Sequence, residues 1–466
     1  DARVDALTAD LRASLAGVRA ITGARGTVKV SDADLRGVHA NRLDVALAYG
    51  DTAARLAAST TLDDGTEARL VVTAIPDSIR HALRLDSLDV NRGPHHWALA
   101  HPVRVAYGER YTVDDFVLAS GAGPRIAIDG TVSRTGAERL SLLLDSISLA
   151  PFARALGYHA LAGATLYAKA TLGGTATAPR LHADATVTLA GAGAGSGTMH
   201  GVVDWTASRL DLTAALTPRD GHALTASGYL PVRLVLAASA AGPVSVAAHG
   251  AVDLHVAATD FNLQIVEPFL NQETIDRARG SLTTEARITG AADAPRLAGT
   301  LALRGLSLRL PYLGVTYEKG VVRAELADDR LRIDTAVVRS GDGTLRLTGG
   351  LVLRQLTVGE FDAQAAMRGF RAVWSDAYQL VVSGNLAFKG TTRAPVLTGS
   401  IIVDNGTLDL SATASGGSAQ PVTLTKAQLH SIEARFGRDA VRAGGAPSTQ
   451  FFDLLALDLR VTADRD

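Results

Sequence analysis

Two stretches of the chain decide its fold. Residues 280–303 read G-S-L-T-T-E-A-R-I-T-G-A-A-D-A-P-R-L-A-G-T-L-A-L, and residues 383–403 read S-G-N-L-A-F-K-G-T-T-R-A-P-V-L-T-G-S-I-I-V. Each contains an alternating segment, a glycine, a short polar turn ending in Ala-Pro, and a second alternating segment. Leu282 and Ile288 fall on one side of the first strand, and Glu285 and Arg287 fall on the other. Period-two alternation across a turn predicts a β-hairpin with one apolar face.

The Ala-Pro turn occurs three times, with prolines at Pro179, Pro295 and Pro395. A glycine stands five residues before each proline and a leucine two residues after it. The spacings are 295 − 179 = 116 and 395 − 295 = 100 residues. A second pattern, strand then Ser-Gly-x-Gly then strand, appears at Tyr111–Val132 and again at Leu331–Val352. A long, degenerate repeat of this kind predicts an elongated β array.

The amino-acid composition limits the classes of protein to which this chain can belong. Hydrophobic residues make up 47% of the 466 residues, but aromatics only 5%, which favours many strands with small side chains over one thick core. The net charge of −1 gives no general electrostatic argument for nucleic acid or an anionic membrane. The absence of cysteine excludes disulfides and thiolate chemistry. No segment resembles a membrane span or signal peptide, so we expect an internal piece of a longer protein.

We predict an all-β fold: an elongated, curled antiparallel or mixed sheet with a lengthwise hydrophobic groove and one or two short helices. Residues 1–24 are predicted to be a partial N-terminal segment, either a short amphipathic helix or a truncated strand region, because Val4, Leu7, Leu11, Leu15 and Val18 recur at helical spacing. The predicted β units are 25–160, 161–279 (ending in a short helix), 280–383 and a truncated 384–466. Helices are expected at Pro151–Gly157 and Gln264–Arg279, and loops at Pro76–Leu83 (or a helical turn), Gly191–Gly197 and Ser411–Pro421.

The sequence carries few candidate residues for catalysis or metal binding. His95, His96 and His101 form the one histidine cluster, and a polar strand end explains them better than a metal site because no carboxylate stands at ligand spacing. Pairs of aspartates lie in or beside predicted turns, where Asp commonly forms local hydrogen bonds. The Ser-Gly-x-Gly turns lack the lysine and the following helix of a phosphate-binding loop. We therefore expect no enzyme activity, no cofactor and no metal.

The apolar face itself is the candidate site. Its predicted lining consists of apolar residues at alternate strand positions: Leu166, Ala168, Leu172, Val187, Leu189, Leu282, Ile288, Leu301, Leu303, Leu331, Ile333, Val337, Leu386 and Phe388. The opposite face carries Lys169, His182, Asp184, Glu285, Arg287, Arg304, Arg332, Asp334 and Lys389. Such a face either packs on a second sheet in a sandwich or stays open as a binding surface. The small lining residues and scarce helices favour the open surface.

Taken together these patterns resemble the TamB family of the AsmA-like superfamily. The resemblance rests on the (L/I)-x-G-x-x-x-A-P-x-L hairpins at 172–181 and 288–297, a close variant that begins with Phe at 388–397, and the segment L-S-L-R-L-P-Y-L-G-V-T-Y-E-K-G-V-V-R-A-E-L at 306–326 that leads into 330–349. The stretch 144–166 is similar to the family's connector. The resemblance runs from about residue 25 to the end of the chain.

This resemblance implies a periplasmic bridge of an inner-membrane-anchored protein in a diderm bacterium. It implies phospholipid as cargo, an inner-membrane anchor and a full C-terminal domain outside this chain, and an outer-membrane barrel partner of the TamA/BamA type reached through that C-terminal end. It also implies a role in outer-membrane biogenesis. Nucleic acid is not an expected partner.

Two other functions remain open. A scaffold or chaperone that guides outer-membrane β-strands would need an exposed sheet edge, whereas lipid conduction needs an apolar lining without interruptions. An adhesin-like array would predict Thr/Asn ladders and repeats of equal length, which this chain lacks.

Overall fold

The computed structural model confirms the all-β class: almost all ordered secondary structure is strand. The residues that it describes are 2–16, 20–35, 38–50, 53–75, 81–93, 95–108, 110–133, 137–156, 161–190, 195–206, 208–234, 244–246, 250–270, 274–354, 357–375, 378–408 and 455–463. The predicted loop at Ser411–Pro421 lies outside the described residues, as do 76–80 and 191–194 of two other predicted loops.

Strands occupy the described chain from one end to the other. The first thirteen are β1 (Ala2–Ala16), β2 (Ala20–Leu35), β3 (Val38–Tyr49), β4 (Ala54–Leu62), β5 (Glu67–Ile75), β6 (His81–Arg92), β7 (His95–Leu99), β8 (Val103–Tyr107), β9 (Arg110–Ala119), β10 (Arg125–Ser133), β11 (Ala137–Ser148), β12 (Thr165–Thr175) and β13 (Ala178–Leu189). One α-helix, α1 (Ala150–Leu156), separates β11 from β12.

The remaining strands follow the same pattern. They are β14 (Gly197–Trp205), β15 (Leu210–Pro218), β16 (Leu224–Leu230), β17 (Val232–Leu234), β18 (Val244–Val246), β19 (Ala251–Asn262), β20 (Arg277–Ala291), β21 (Ala294–Leu310), β22 (Val315–Asp328), β23 (Arg330–Ser340), β24 (Gly343–Arg354), β25 (Thr357–Trp374), β26 (Tyr378–Thr391), β27 (Ala394–Leu408) and β28 (Ala456–Ala463). Short 3₁₀ helices occupy Leu263–Phe269 and Pro311–Leu313. Apart from β17 and β18, which pair with each other, all strands belong to one 26-stranded sheet.

The chain divides into two units. The first comprises residues 1–190, 198–216 and 227–250, and the second comprises 191–197, 217–226 and 251–466. In the first unit β1 to β6 pair in chain order, β6 pairs with both β7 and β8, these two pair with β9, and β9 to β13 again pair in order. In the second unit β19 to β27 form an antiparallel series, and β28 pairs in parallel with β27.

All three predicted Ala-Pro hairpins are confirmed. Each closes with a two-residue turn, and in each the proline lies directly opposite the glycine that precedes the turn, as Pro179 opposite Gly174 illustrates. Gly174 has a φ of 89°, and a Cβ added there would lie 2.3 Å from the carbonyl oxygen of Ala178. The glycine is therefore required by both backbone conformation and close approach of the facing strand.

Replacing Gly174 with alanine is expected to lower the free energy of unfolding by about 1–3 kcal/mol. The alanine backbone would be strained at this positive φ, and its Cβ would clash with the carbonyl oxygen of Ala178. Gly173→Ala is the matched control. Its added Cβ would have its nearest contact at 3.9 Å and its φ lies outside the left-handed region, so its effect should stay within about 0.5 kcal/mol. Urea unfolding followed by circular dichroism compares the two, and equal effects would refute this account of the turn.

The helical interpretation of the N-terminal segment is wrong. Residues 2–16 form β1, which pairs with β2 over its whole length. The alternation Leu7, Ala9, Leu11 against Thr8, Asp10, Arg12 is the period-two signal that the helical spacing obscured. Pairing with a neighbouring strand overrides a weak local preference.

The two internal helices are only partly as predicted. Residues Ala150–Leu156 form α1, in agreement with the prediction for Pro151–Gly157. The second segment forms a 3₁₀ helix over Leu263–Phe269 alone, and β20 has begun by Arg277. Pro268 lacks a backbone N–H, and the helix ends one residue later. Both helices precede an Ala-Pro hairpin.

A small core anchors the 3₁₀ helix in the second unit. Ile265 is fully buried and Phe261 is 2% exposed. A Cβ added at Gly197 would lie 2.6 Å from Cδ1 of Ile265, so the Ile265 side chain packs directly against the backbone of Gly197. Asn262 caps the helix by accepting a hydrogen bond from the Gln264 backbone N–H, and a Glu267 carboxylate oxygen accepts one from the Ala278 N–H.

Candidate functional site

In the first unit the strand registers place the predicted lining residues side by side. Leu166 lies opposite Val187 and Leu172 opposite Leu181, with Ala168 between them on the same face of β12. Leu189 shares the face of Val187, two residues further along β13. Since directly paired residues in antiparallel strands share a face, these residues form cross-strand rows.

The rows in the first unit extend across strands whose residues are absent from the predicted lining. One row runs through the β11 leucines into β12, as Leu140 opposite Leu172 and Leu144 opposite Ala168 show. Another crosses β1 to β5, in the ladder order Leu11, Gly26, Leu47, Leu56 and Val72. The alternation of leucines at 140, 142 and 144 is a signal that could have been used. We call the face that bears these rows the apolar face of the first unit.

The second unit carries a corresponding apolar face. Leu282 lies opposite Leu303, and Ile288 opposite Leu297. From β21 the face continues across β22 and β23, where Leu301 and Ile333 both lie opposite Ala324. It then crosses β24, where Gly349 lies opposite Ile333 and Leu351 opposite Leu331. In β26, Leu386 and Phe388 lie opposite Ala365 and Ala363 of β25. Phe388 stacks on Phe361 with ring centroids 4.4 Å apart.

Val337 is the exception among the predicted lining residues. It lies opposite Val321 and Arg346, on the face that also carries Arg323, whereas Ile333 lies opposite Ala324 on the apolar face. A register shift in the β22–β23 ladder adds one residue to β23 between Ile333 and Thr335. An added residue reverses the face of every residue beyond it, so the assignment of Val337 from simple alternation is wrong.

The two faces differ in exposure. Apart from Val187 and Leu189, which are buried, the predicted lining residues are half-buried. The residues predicted to lie opposite are exposed, except for the half-buried Asp184. At the β1 end, Leu11 remains 73% exposed and Leu47 40% exposed. The apolar face therefore keeps accessible hydrophobic surface, which is typical of a surface that binds something apolar.

Two open cavities are lined by described residues of the second unit. One, of about 940 Å³, brings Leu331 and Ile333 together with Leu351 and Phe361, although charged residues such as Arg332 also line it. The other, of about 590 Å³, lies beside the Pro311–Leu313 helix and includes Val373, Leu380 and Gly406.

A buried acid interrupts the apolar face of the first unit. Glu138 lies opposite Gly174, two residues from Leu140 on the same side of β11, and is only 4% exposed. Neither carboxylate oxygen has a hydrogen-bond partner in the described structure. The equivalent positions opposite the glycines of the other two hairpins are Val252 and Phe361. Burial raises the pKa of Glu138.

Because Glu138 is buried, we expect the free energy of unfolding to depend on pH. Because the pKa of Glu138 is higher in the folded chain than in the unfolded chain, the folded chain holds the proton more tightly. The contribution of Glu138 to the free energy of unfolding is most favourable below the pKa of Glu in the unfolded chain, about 4.3. This contribution is lost as pH rises through the raised pKa of Glu138 in the folded chain. Glu138→Val should therefore raise the free energy of unfolding by about 1–3 kcal/mol at pH 7 and by less at pH 4.

Urea unfolding at both pH values measures this difference. Glu285→Val serves as the control, because Glu285 lies on the polar face with its side chain 80% exposed. A Glu138→Val chain that is less stable than the wild type at pH 7 would refute this interpretation.

The polar face is held by ion pairs between neighbouring strands. Arg287 donates two hydrogen bonds to Asp253, of 2.9 and 2.7 Å, and this contact lowers the pKa of Asp253. Arg332 bridges Glu325 at 2.6 Å and Asp334 at 3.1 Å. Exposed pairs of this kind fix strand register more than they stabilise the fold.

Two histidines of the predicted cluster contact separate carboxylates. His96 lies 3.6 Å from Asp89, and His101 lies 3.2 Å from Asp115. Within the described ranges no group of three or more histidines and acids has the arrangement to hold a metal ion. In that same part of the chain, no helix combines the length and apolar character needed to cross a bilayer.

Comparison with known proteins gives one informative match. Residues 332–466 match the model of the TamB C-terminal domain, from β23 onwards. No curated protein and no solved structure matches the chain. The match begins well before residue 384, so at least part of the domain that we expected outside the chain lies within it.

This match agrees with the resemblance read from the hairpins and the strand pattern at 306–349. TamB proteins belong to the bacterial envelope and are generally associated with a TamA partner. Over residues 332–466, the chain therefore carries the sequence pattern of a TamB C-terminal domain.

Proposed function

We propose that this chain binds phospholipid acyl chains on its apolar faces and conducts them along the sheet, as a periplasmic segment between the inner and outer membranes. The observation that carries this proposal is the register of the ladders. In each unit it joins apolar side chains into rows that cross many strands, while charged residues occupy the opposite face. The transport would support outer-membrane biogenesis.

The energetics favour apolar cargo. An acyl chain of about 16 carbons transferred from water to a dry apolar surface gains up to roughly 12 kcal/mol, at about 0.8 kcal/mol per methylene. The half-buried lining of the second unit, such as Leu301 and Leu303, would lose its remaining contact with water at the same time. A lining of similar side chains lets the cargo move without large changes in free energy.

Small residues in the rows suit movement better than tight selection. Gly26 in the first unit and Ala324 and Gly349 in the second stand between larger lining residues. Deep pockets that select one ligand would be lined by large, specifically placed side chains. We propose no catalysis for this chain, and a TamA-type barrel as its outer-membrane partner.

Native mass spectrometry of the purified chain, with lipid extraction from the same sample, tests the proposal. We expect phospholipid to remain bound after purification and to exchange with added phospholipid of another acyl length. A folded chain that neither retains nor takes up phospholipid would refute the proposal.

One observation favours a second function, strand guidance. In the described ladders β28 pairs on one side only, in parallel with β27, and exposes Leu457 and Val461. A strand with an unpaired edge can accept a partner strand. A chain that binds no lipid but protects a synthetic outer-membrane β-strand peptide from aggregation would support this second function.

A further inference from the structure

One cross-strand row on the polar face of the first unit is unusually basic. The registers place five arginines in a single row that starts at β1 and ends at β8. In ladder order the row reads Arg12, Arg25, Ala48, Arg55, Thr73, Arg84 and Arg104. It has no acid until Asp114 on β9. We call these residues the arginine row.

The row differs from the opposite-charge pairs on the polar face of the second unit, although one like-charged pair, Arg277 opposite Arg309, occurs there too. In the second unit Arg332 lies opposite Glu325, and Lys389 lies opposite Asp362. In the arginine row, Arg12 lies directly opposite Arg25. Like charges at directly paired positions destabilise a sheet, so this arrangement costs stability unless an anion lies between them.

The carboxylates near the row neutralise only part of its charge. Asp10 is 3.4 Å from Arg12, and Asp86 is 2.6 Å from Arg84. Among the described residues, no carboxylate lies within ion-pair distance of Arg25 or Arg104, and Arg55 has only the longer-range attraction of Asp86, whose pKa its charge helps to lower. The local charge is therefore positive, although the net charge of the whole chain is −1.

A depression lies between the arginines at the β1–β4 end of the row. It has a volume of about 500 Å³, and Arg12, Arg25 and Arg55 stand around it, together with the one carboxylate of its described lining, Asp10, which pairs with Arg12. Its floor is made of small residues, among them Ala46, Ala48 and Ala57. Three strand spacings separate β1 from β4, or about 14 Å, which long arginine side chains can span from both sides.

We propose that Arg12, Arg25 and Arg55 form a binding site for a phosphate-type oxyanion on the polar face of the first unit. Guanidinium groups bind phosphate oxygens through paired hydrogen bonds, and an anion between Arg12 and Arg25 removes their repulsion. The shallow, Ala-lined floor admits a group about the size of pyrophosphate. The site lies on the face opposite the proposed lipid surface and does not depend on lipid conduction.

Isothermal titration calorimetry with inorganic pyrophosphate at low ionic strength tests the site. Wild-type chain is expected to bind, and added salt should weaken the binding. The double variant Arg25→Ala/Arg55→Ala should lose at least about tenfold in affinity, since each lost charge-assisted contact removes a strong hydrogen bond. Its free energy of unfolding without ligand should not fall, because repulsion with Arg12 is relieved.

Arg42→Ala is the matched control. Arg42 is an exposed arginine of β3 on the same polar face, but Asp44 of its own strand binds it at 2.5 Å, so the variant should bind pyrophosphate like the wild type. Binding of phosphatidylglycerol vesicles, compared with phosphatidylcholine vesicles, separates a lipid headgroup from a free phosphate as the source. Wild-type chain that binds neither pyrophosphate nor anionic vesicles, or a double variant that binds as well as wild type, would overturn the proposal.

Discussion

Replacing Leu303 and Ile333 together with aspartate is expected to remove almost all bound phospholipid from the chain. Both residues lie on the apolar face of the second unit, in neighbouring ladders joined through β22. Losing contact with about four methylenes costs roughly 3 kcal/mol, and two carboxylates on the face repel acyl chains further. A loss of at least about 100-fold in lipid affinity follows. Lipid extraction with phosphate quantification measures it.

The control for this variant introduces the same charges on the other face. Val321 and Ala366 are exposed residues of β22 and β25, on the side that carries Val337 and Arg346. Val321→Asp/Ala366→Asp should retain lipid at the wild-type level. Circular dichroism establishes that both variants are folded. Equal lipid loss in the two folded variants would contradict the assignment of the apolar face.

The largest single-residue effect on stability is expected for Ile265→Ala. Ile265 is fully buried in the 3₁₀ helix against Gly197, so truncation leaves a cavity that the backbone cannot readily fill. The expected loss in the free energy of unfolding is about 2–5 kcal/mol. Chemical unfolding followed by circular dichroism measures it.

Phe269→Ala provides the comparison within the same helix. Phe269 is 46% exposed, and its truncation should cost much less than that of Ile265. Equal costs for the two substitutions would mean that Ile265 is not part of a packed core. Phe261 of this core lies opposite Leu282 at one end of the apolar face, but the rest of that face lies on β21 to β26. Ile265→Ala is therefore also expected to bind lipid below its unfolding midpoint.

The hairpins could be predicted from sequence because their determinants are local. The glycine with positive φ at Gly174, Gly290 and Gly390 and the proline opposite each one appear as a fixed spacing in the chain. The side of each strand could also be predicted where alternation is uninterrupted, as from Leu282 to Ile288. These local signals were sufficient to predict the all-β class and the face on which most of the lining residues lie.

Features that depend on pairing between distant strands were not accessible from sequence. The extra residue that moves Val337 to the polar face arises from the β22–β23 register, and no residue type in β23 marks it. The arginine row joins residues as far apart in the chain as Arg12 and Arg104, which only the ladders bring into line. The helical spacing of apolar residues between positions 4 and 18 was misleading, because the alanines of this segment are compatible with both the helical period of about 3.6 and the strand period of about 2.

Photo-crosslinking at neighbouring positions of the two faces tests the central claim most directly. A photoreactive amino acid would be placed at Leu172 and Leu386 on the apolar faces, and at Thr171 and Ala387 on the polar face. We expect phospholipid adducts at Leu172 and Leu386 and none at Thr171 and Ala387, because adjacent strand residues point to opposite sides. Adducts of equal yield at all four positions, or adducts at Thr171 and Ala387 alone, would contradict it.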